Sequence, residues 1–497
     1  MNQDKFDLVV MGAGPAGYAA AMRAIDYGKR VCLVENVRIG GAGVYNGALS
    51  SKTLWELSQR IKNVNDTIFS IGREKFELSW EEVKRTLEEA IFERKFQYSC
   101  HINLLKSQRE DLFSYRRGFA RIITPNQVAI HRENEDDLLI DTDYIIIATG
   151  SRPRKLPDIP SDEKVIFTSD GIDSIEDYPK SLVIVGAGVI GCEYATIFSN
   201  FGKTKVYLID RADHILPFED DDISKIVSEN LQKNGVTIHN NAQLVRMEIV
   251  NGEVEYEIDT DGVREVIHVE KALLSVGRVA NYENIGLEEV GIKKGVSGRF
   301  IGDDDTQTNI PNIFAVGDVS GRISLVNMGE IEGRHAVERM FGHKLNRISY
   351  DNVCTIMFLE PEVASVGMNE KQCLEGNVPC KIVKLDYSVI ARAIAMRKTQ
   401  GFFKIIVTND DEMKILGMRA VGEHASSAIQ AVALLIKMDK GIAELAELIH
   451  PHPSIVEGVQ ECVRMLMNRS IFKSSVFKDK LECYSLVDGV KTPLQRL

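Results

Sequence analysis

Phe6-Asp7-Leu8-Val9-Val10-Met11-Gly12-Ala13-Gly14-Pro15-Ala16-Gly17 is the stretch on which the fold turns. Residues 6–11 are almost wholly apolar and predict a buried strand. Gly12, Gly14 and Gly17 follow it with the spacing GxGxxG, and the alanine-rich residues 18–27 favour a helix. A second apolar run, Val31-Cys32-Leu33-Val34, ends at Glu35. Strand, glycine turn, helix, strand and acid, in that order, predict a dinucleotide-binding unit. Gly12 permits the tight turn, Gly14 lets a pyrophosphate approach the backbone, and Gly17 lets helix and strand pack closely. The phosphate charge then meets the helix N-terminus, and Glu35 is placed to accept hydrogen bonds from ribose hydroxyls.

The pattern repeats downstream. Ser181-Leu182-Val183-Ile184-Val185 leads into Gly186, Gly188 and Gly191 at the same spacing. A helix-like stretch runs to Phe201, Gly202 can close it, and Val206-Tyr207-Leu208-Ile209 ends at Asp210. A duplicated domain with one dead site would also carry such a repeat, but here glycines and acid are intact in both copies. Two dinucleotides in one chain most economically mean a flavin and a nicotinamide that exchange a hydride. Asp210 favours the free 2′-hydroxyl of NAD and repels the 2′-phosphate of NADP, while Arg211 beside it offsets part of that repulsion. The cofactors expected are FAD and NAD(H), with NADP(H) left open.

Composition narrows the class. The 497 residues suggest two to four domains. A net charge of −12 and no clustered basic stripe argue against nucleic acid as a partner. No run of about 18 apolar residues suggests a membrane span. The polar start lacks a charged-then-apolar leader, so the cytoplasm is the expected location. Eight cysteines lie scattered without a CxxC pair, which reads as reduced thiols. No histidine or cysteine shows metal-ligand spacing, so no metal is expected. Ser79 and Glu82 make a capping box at the head of a further helix.

From about residue 5 to about 468 the chain resembles the flavoprotein disulfide reductase family, the class I pyridine nucleotide-disulfide oxidoreductases. That family takes in dihydrolipoamide dehydrogenases and the soluble pyridine nucleotide transhydrogenases. The resemblance rests on Tyr144-Ile145-Ile146-Ile147-Ala148-Thr149-Gly150-Ser151, on Leu274-Ser275-Val276-Gly277-Arg278, and on the stretch from Thr308 to Val316-Gly317-Asp318. Phe358-Leu359-Glu360-Pro361-Glu362 extends it into the C-terminal part. It implies an α/β protein with two Rossmann-like dinucleotide-binding domains, one for FAD and one for NAD(P), plus an α+β dimerisation domain. The division implied is FAD-binding over 1–152 and 283–350, NAD(P)-binding over 153–282 and dimerisation over 351–470, with a tail of no assigned role over 471–497. It further implies a homodimer, FAD contacts from Thr149, Gly150, Gly317 and Asp318, and NAD(P) contacts from Gly277 and Arg278. Asp318 would hydrogen-bond the ribityl chain.

One segment departs from the family. A GGTCxNxGCxPSK-like stretch supplies two relay cysteines in the disulfide reductases. Here it reads Gly40-Gly41-Ala42-Gly43-Val44-Tyr45-Asn46-Gly47-Ala48-Leu49-Ser50-Ser51-Lys52, with Gly43 and Ala48 at the cysteine positions. Neither residue can form a thiolate. Lys52 is kept, as is Glu193, and the resemblance implies that they pair beside the flavin. His450-Pro451-His452-Pro453-Ser454-Ile455-Val456-Glu457 is similar to the family's HxHPTxSE, in which the second histidine, held by the glutamate, serves the partner subunit as acid–base. The expectation is therefore an FAD-dependent, thiol-independent enzyme that passes hydride to a small-molecule electron acceptor. It would be transhydrogenase-like and not a disulfide reductase. An NAD(P)H:quinone or dye reductase, or a catalytically silent subunit, is the alternative.

Overall fold

Lys5–Met11 forms the strand expected of residues 6–11, and Leu8, Val9 and Val10 on it are fully buried. In this computed structural model the described residues are 5–295, 300, 305–342, 346–473 and 475–494. They form two compact units, one of residues 1–178 with 273–348, the other of 179–272 with 349–497.

In the first unit Lys5–Met11 pairs in parallel with Val31–Glu35 on one side and Leu138–Ile147 on the other. The sheet has seven strands, Phe113–Arg117 extending one flank and Gln127–His131 with Phe119–Thr124 the other, while Ile313–Ala315 joins Leu138–Ile147 in parallel. Apolar side chains bury on both of its faces, as central parallel strands require. Helix Pro15–Asp26 starts directly on the glycine turn with proline in its first turn, where the missing N–H costs nothing. Helix Val326–Phe341 packs against it through Gly333, where an added Cβ would lie 2.2 Å from the Ala16 carbonyl oxygen. The capping box of Ser79 and Glu82 is present and heads helix Trp80–Gln108.

The second unit holds a parallel ladder of Ser181–Val185, Lys205–Ile209 and Thr237–His239. An antiparallel sheet of Ala242–Val250, Glu253–Thr260 and Val263–Val269 follows it. Its C-terminal part is a seven-stranded sheet in the order Cys354–Met357, Val363–Gly367, Ile415–Val421, Phe402–Thr408, Cys380–Asp386, Leu481–Val487 and Val490–Pro493. Helices Gln430–Lys437 and Glu457–Leu466 lay apolar faces into one core with that sheet. The last two strands come from the tail of no expected role. It folds as a hairpin and covers the edge that Cys380–Asp386 would otherwise present. No described helix is long and apolar enough to cross a membrane.

Candidate functional site

Three glycines shape the first turn, each by a different constraint. Gly12 has φ +112, and a Cβ there would stand 2.3 Å from the Ala148 carbonyl oxygen. A Cβ at Gly17 would stand 2.0 Å from the Gly12 carbonyl oxygen. Gly14 is different, because a Cβ would meet nothing within 4 Å. The turn is thus held tightly from below and left open above Gly14, a cradle of the kind a pyrophosphate needs. Glu35 closes it: its Oε2 accepts from the Ala13 amide at 2.8 Å and its Oε1 from the Val37 amide at 2.8 Å.

The second turn repeats this arrangement. Gly186 has φ +101 and Gly188 again faces open space. Asp210 Oδ2 accepts from the Ala187 amide at 2.5 Å, and Oδ1 accepts from the Ala212 amide at 2.9 Å. In both units the acid at the end of the second strand holds the middle amide of the glycine turn. Sequence reasoning gave Glu35 and Asp210 a ribose role alone and missed this locking role. The signal was present in the matched turn-to-acid spacings of the two copies. Gly191 is buried inside helix Val189–Phe201, and Glu193 beside it is 4 % exposed. Glu193 Oε1 accepts from the Phe358 amide at 3.0 Å, within the same unit.

In the first unit Thr149 and Gly150 both bond Asn281, whose amide donates to the Gly150 carbonyl at 2.9 Å, and Asp318 is held separately by Ser151. Thr149 Oγ1 donates to the Asn281 carbonyl at 2.5 Å, and Asn281 Nδ2 donates back to the Thr149 carbonyl at 3.0 Å. Ser151 Oγ donates to Asp318 Oδ2 at 2.5 Å. Gly277 and Arg278, expected with the pyridine nucleotide, also lie in this unit. Arg278 bonds Ser151 Oγ at 2.9 Å and Asp170 Oδ1 at 2.8 Å. Gly317 has φ +72, and its amide donates to Glu332 Oε2 at 2.6 Å. Glu332 is 1 % exposed and had no part in the sequence reading. A buried carboxylate on Val326–Phe341, one residue before Gly333, is what fixes the turn that carries Asp318.

Lys52 lies on helix Ala48–Ser70 of the first unit and donates to Ser51 Oγ at 3.2 Å, whereas Glu193 belongs to the second unit. At Gly43 a side chain would strike the Pro15 ring, with Cγ at 2.6 Å from an added Cβ. The position is closed to any larger residue unless the turn shifts. His452 Nδ1 and Glu457 Oε1 are 2.8 Å apart, and Glu457 Oε2 accepts from the Ser454 amide at 2.8 Å. Burial pushes the Glu457 carboxyl up, but the Ser454 amide and His452 together hold it below the usual range. The His452 side chain is 71 % exposed. His450 nearby has its pKa lowered by burial.

Two acid-locked glycine turns, one in each unit, define a two-dinucleotide oxidoreductase. The chain matches the family of pyridine nucleotide-disulphide oxidoreductases over residues 6–333 and that family's dimerisation domain over 353–463. It belongs to that family, which implies FAD and NAD(H) as cofactors. The dihydrolipoyl dehydrogenase of Bacillus subtilis is 32% identical over 469 residues, covering 92% of this chain and 97% of that protein. That of Chlamydia trachomatis is 32% identical over 462 residues, covering 92% and 96%. Among solved structures, LpdA from Mycobacterium tuberculosis superposes with a TM-score of 0.82 at 25% identity, covering 93% of this chain and all of that one. The HOCl-induced flavoprotein disulfide reductase RclA from Escherichia coli, as its Cu(II) complex, reaches a TM-score of 0.81 at 25% identity, with the same 93% of this chain covered.

These relatives confirm the expected fold class and family, and they correct the expected function. The reading of a thiol-independent, transhydrogenase-like enzyme that is not a disulfide reductase does not stand, nor do its quinone-reductase and silent-subunit alternatives. The relatives are dihydrolipoyl dehydrogenases, matched across nearly their whole length. The expectation gave two positions, Gly43 and Ala48, more weight than the hundreds of aligned residues around them.

Proposed function

We propose that the chain is an FAD-bound, NAD(H)-linked oxidoreductase of the dihydrolipoyl dehydrogenase type, working as a homodimer. The repeated lock, Ala13 N on Glu35 and Ala187 N on Asp210, carries the reading. Gly12, Gly14, Gly17, Glu35, Thr149, Gly150, Gly317 and Asp318 would hold FAD. Gly186, Gly188, Gly191 and Asp210 would hold NAD(H). Flavin and nicotinamide supply hydride exchange when bound. The chain's own work is to aim backbone amides at phosphates, with each acid fixing the turn before the ligand arrives, so that little ordering remains to be done. Glu457 on His452 Nδ1 leaves Nε2 as the nitrogen that takes or gives a proton. Gly43 and Ala48 hold no thiol, so the proposal covers the nucleotide side of the reaction and names no route for electrons through that segment.

Anaerobic addition of NADH to the purified yellow protein is expected to bleach the flavin band. Protein that carries no flavin, or flavin that NADH leaves oxidised, overturns the proposal. NAD(H) is preferred over NADP(H) because Asp210 presents a carboxylate where the 2′-phosphate would sit. Asp210→Ala removes a charged hydrogen bond worth roughly 1.5–3 kcal/mol. The apparent affinity for NADH in rapid-mixing reduction should therefore fall about ten- to hundredfold, with a smaller change for NADPH. Equal losses for both nucleotides would contradict the role given to Asp210.

A further inference from the structure

We propose that residues 470–477, in the tail beyond the matched dimerisation domain, are a further part of the contact between two copies of this chain. The inference rests on the homodimer of the proposed function and adds to it a surface outside the family match. That match ends at residue 463, within helix Glu457–Leu466, and Ser470 opens the segment seven residues further on. The segment carries Ile471, Phe472, Val476 and Phe477, four large apolar side chains that are all exposed on the single chain.

The interior holds this segment in place. Glu461 is a buried carboxylate on the matched side, and its Oε1 accepts from the Ser470 hydroxyl at 2.6 Å and the Ile471 amide at 2.9 Å. Ser470 Oγ in turn accepts from the Lys473 amide at 3.1 Å. The Val476 amide returns to the Lys473 carbonyl at 2.8 Å, and the rings of Phe472 and Phe477 meet edge to face with centroids 6.2 Å apart. Beyond it the Leu481 amide donates to the Phe477 carbonyl at 3.0 Å, and Leu481–Val487 pairs into the sheet. The apolar side chains are therefore kept facing water by hydrogen bonds at both ends. A partner that covers them gains the burial and has little ordering left to do.

Continuity with the dimerisation domain identifies that partner. Gln460, the neighbour of Glu461, donates from Nε2 to the Ala446 carbonyl at 3.1 Å and the Leu448 carbonyl at 2.7 Å. Two consecutive residues of one helix thus hold the tail segment and the loop that follows Ala443–Ala446. An ion pair joins the two, Arg469 to Glu447 at 3.0 Å. That loop lies inside the family match and exposes Leu448 and Ile449, the latter 94 % exposed. Exposed apolar side chains on two adjoining loops therefore start in the domain that pairs copies and continue into the tail. Single apolar residues on a surface need no partner, but a cluster of this kind marks an interaction site. A second copy is the occupant that the domain already brings, and a two-fold offers the same patch from both sides.

The test uses the full chain with its cofactors. Sedimentation velocity gives the state of the parent, and a parent that stays monomeric overturns the homodimer and this inference with it. Hydroxyl-radical footprinting of the parent dimer, read by peptide mass spectrometry, then compares side chains of one type and similar exposure. Val476 and Val263 are both 71 % exposed on the single chain, and Ile471 and Ile71 are 67 % and 63 % exposed. Val476 and Ile471 are expected to oxidise about fivefold or more slowly than Val263 and Ile71, as covered interface side chains do. Equal rates in a parent that sediments as a dimer overturn this inference and leave the homodimer standing. Ile471→Asp buries a charge in the contact twice per dimer, so the dimer dissociation constant should rise by about tenfold or more. An unchanged constant contradicts the proposal, and the footprint of the parent decides the matter even if the variant fails to fold.

Discussion

Gly17→Ala is expected to yield protein without flavin and with a weakened first unit, whereas Gly14→Ala is expected to lose flavin alone. The two glycines lie three residues apart in one turn, but a methyl group meets opposite surroundings at each. At Gly17 it lands 2.0 Å from the Gly12 carbonyl oxygen and 3.0 Å from the Ala148 Cβ, and the nearer obstacle is backbone that cannot rotate away. Overpacking of this kind typically costs about 1–3 kcal/mol, and a backbone clash belongs at the upper end. For a unit of this size that is a fall of roughly 6–12 °C in melting temperature. At Gly14 the methyl meets nothing within 4 Å, so the apoprotein should melt within about 2 °C of the parent. It fills the cradle instead, and the purified protein should be colourless. Differential scanning calorimetry of both apoproteins, with the absorbance of bound flavin, separates the two effects. A Gly14→Ala protein that stays fully yellow would place the cofactor elsewhere than in this turn.

What could be read from the sequence divides along physical lines. The glycine turns were legible because φ of +112 at Gly12 and +101 at Gly186 can be met cheaply by glycine alone, so the residue type announces the geometry. The acids were legible as types but not in full, since one carboxylate can serve a backbone amide and a ligand at once. The helix holding Gly329, Glu332 and Gly333 was silent. Two glycines inside a helix only acquire meaning when Ala16 of another helix is known to face them. The tail hairpin was legible and unread. Asp488 and Gly489 both take positive φ, at 49 and 77, the two-residue turn that Asp-Gly favours between alternating strands. Gly43 and Ala48 were read correctly as residues, and the error lay in deriving a reaction from them. Lys404 was invisible, since a lysine amid Phe402-Phe403 and Ile405-Ile406 marks only an interruption in an apolar strand.

Lys404→Met should destabilise the second unit by about 3–5 kcal/mol, the cost of stranding buried charge, and should blunt how that unit responds to acid. Lys404 is 2 % exposed, and its Nζ lies 3.1 Å from Asp220, 2.8 Å from Asp222 and 3.1 Å from Glu370. Lys384 reaches Asp222 at 2.8 Å, and Lys491 of the tail hairpin reaches Glu370 at 2.6 Å. Three carboxylates thus face three ammonium groups, and Lys404 alone touches all three acids. Asp220 cannot turn away from the cluster, because it also accepts from the Lys371 amide at 3.0 Å. Burial raises the Asp222 and Glu370 carboxyls, but the Lys404 charge outweighs it and holds both below the ordinary range. A carboxyl depressed in the folded state contributes stability that is complete above its unfolded pKa, near 4, and is lost as pH falls through the lower folded value. The parent should accordingly keep its melting temperature from about pH 7 to 5 and lose it below about 4. With methionine at 404, burial is opposed only by Lys384 at Asp222 and by Lys491 and Tyr484 at Glu370, so both carboxyl pKa values are expected to move up. Protonation then relieves the stranded charge, so the variant should lose less stability than the parent as pH falls from about 5 to below about 4. Glu370→Gln in the Lys404→Met background removes one buried charge and should recover part of the loss at neutral pH. Melting curves across that range decide the matter: parallel profiles for parent and Lys404→Met would mean that the lysine is a packing element whose charge the acids do not require.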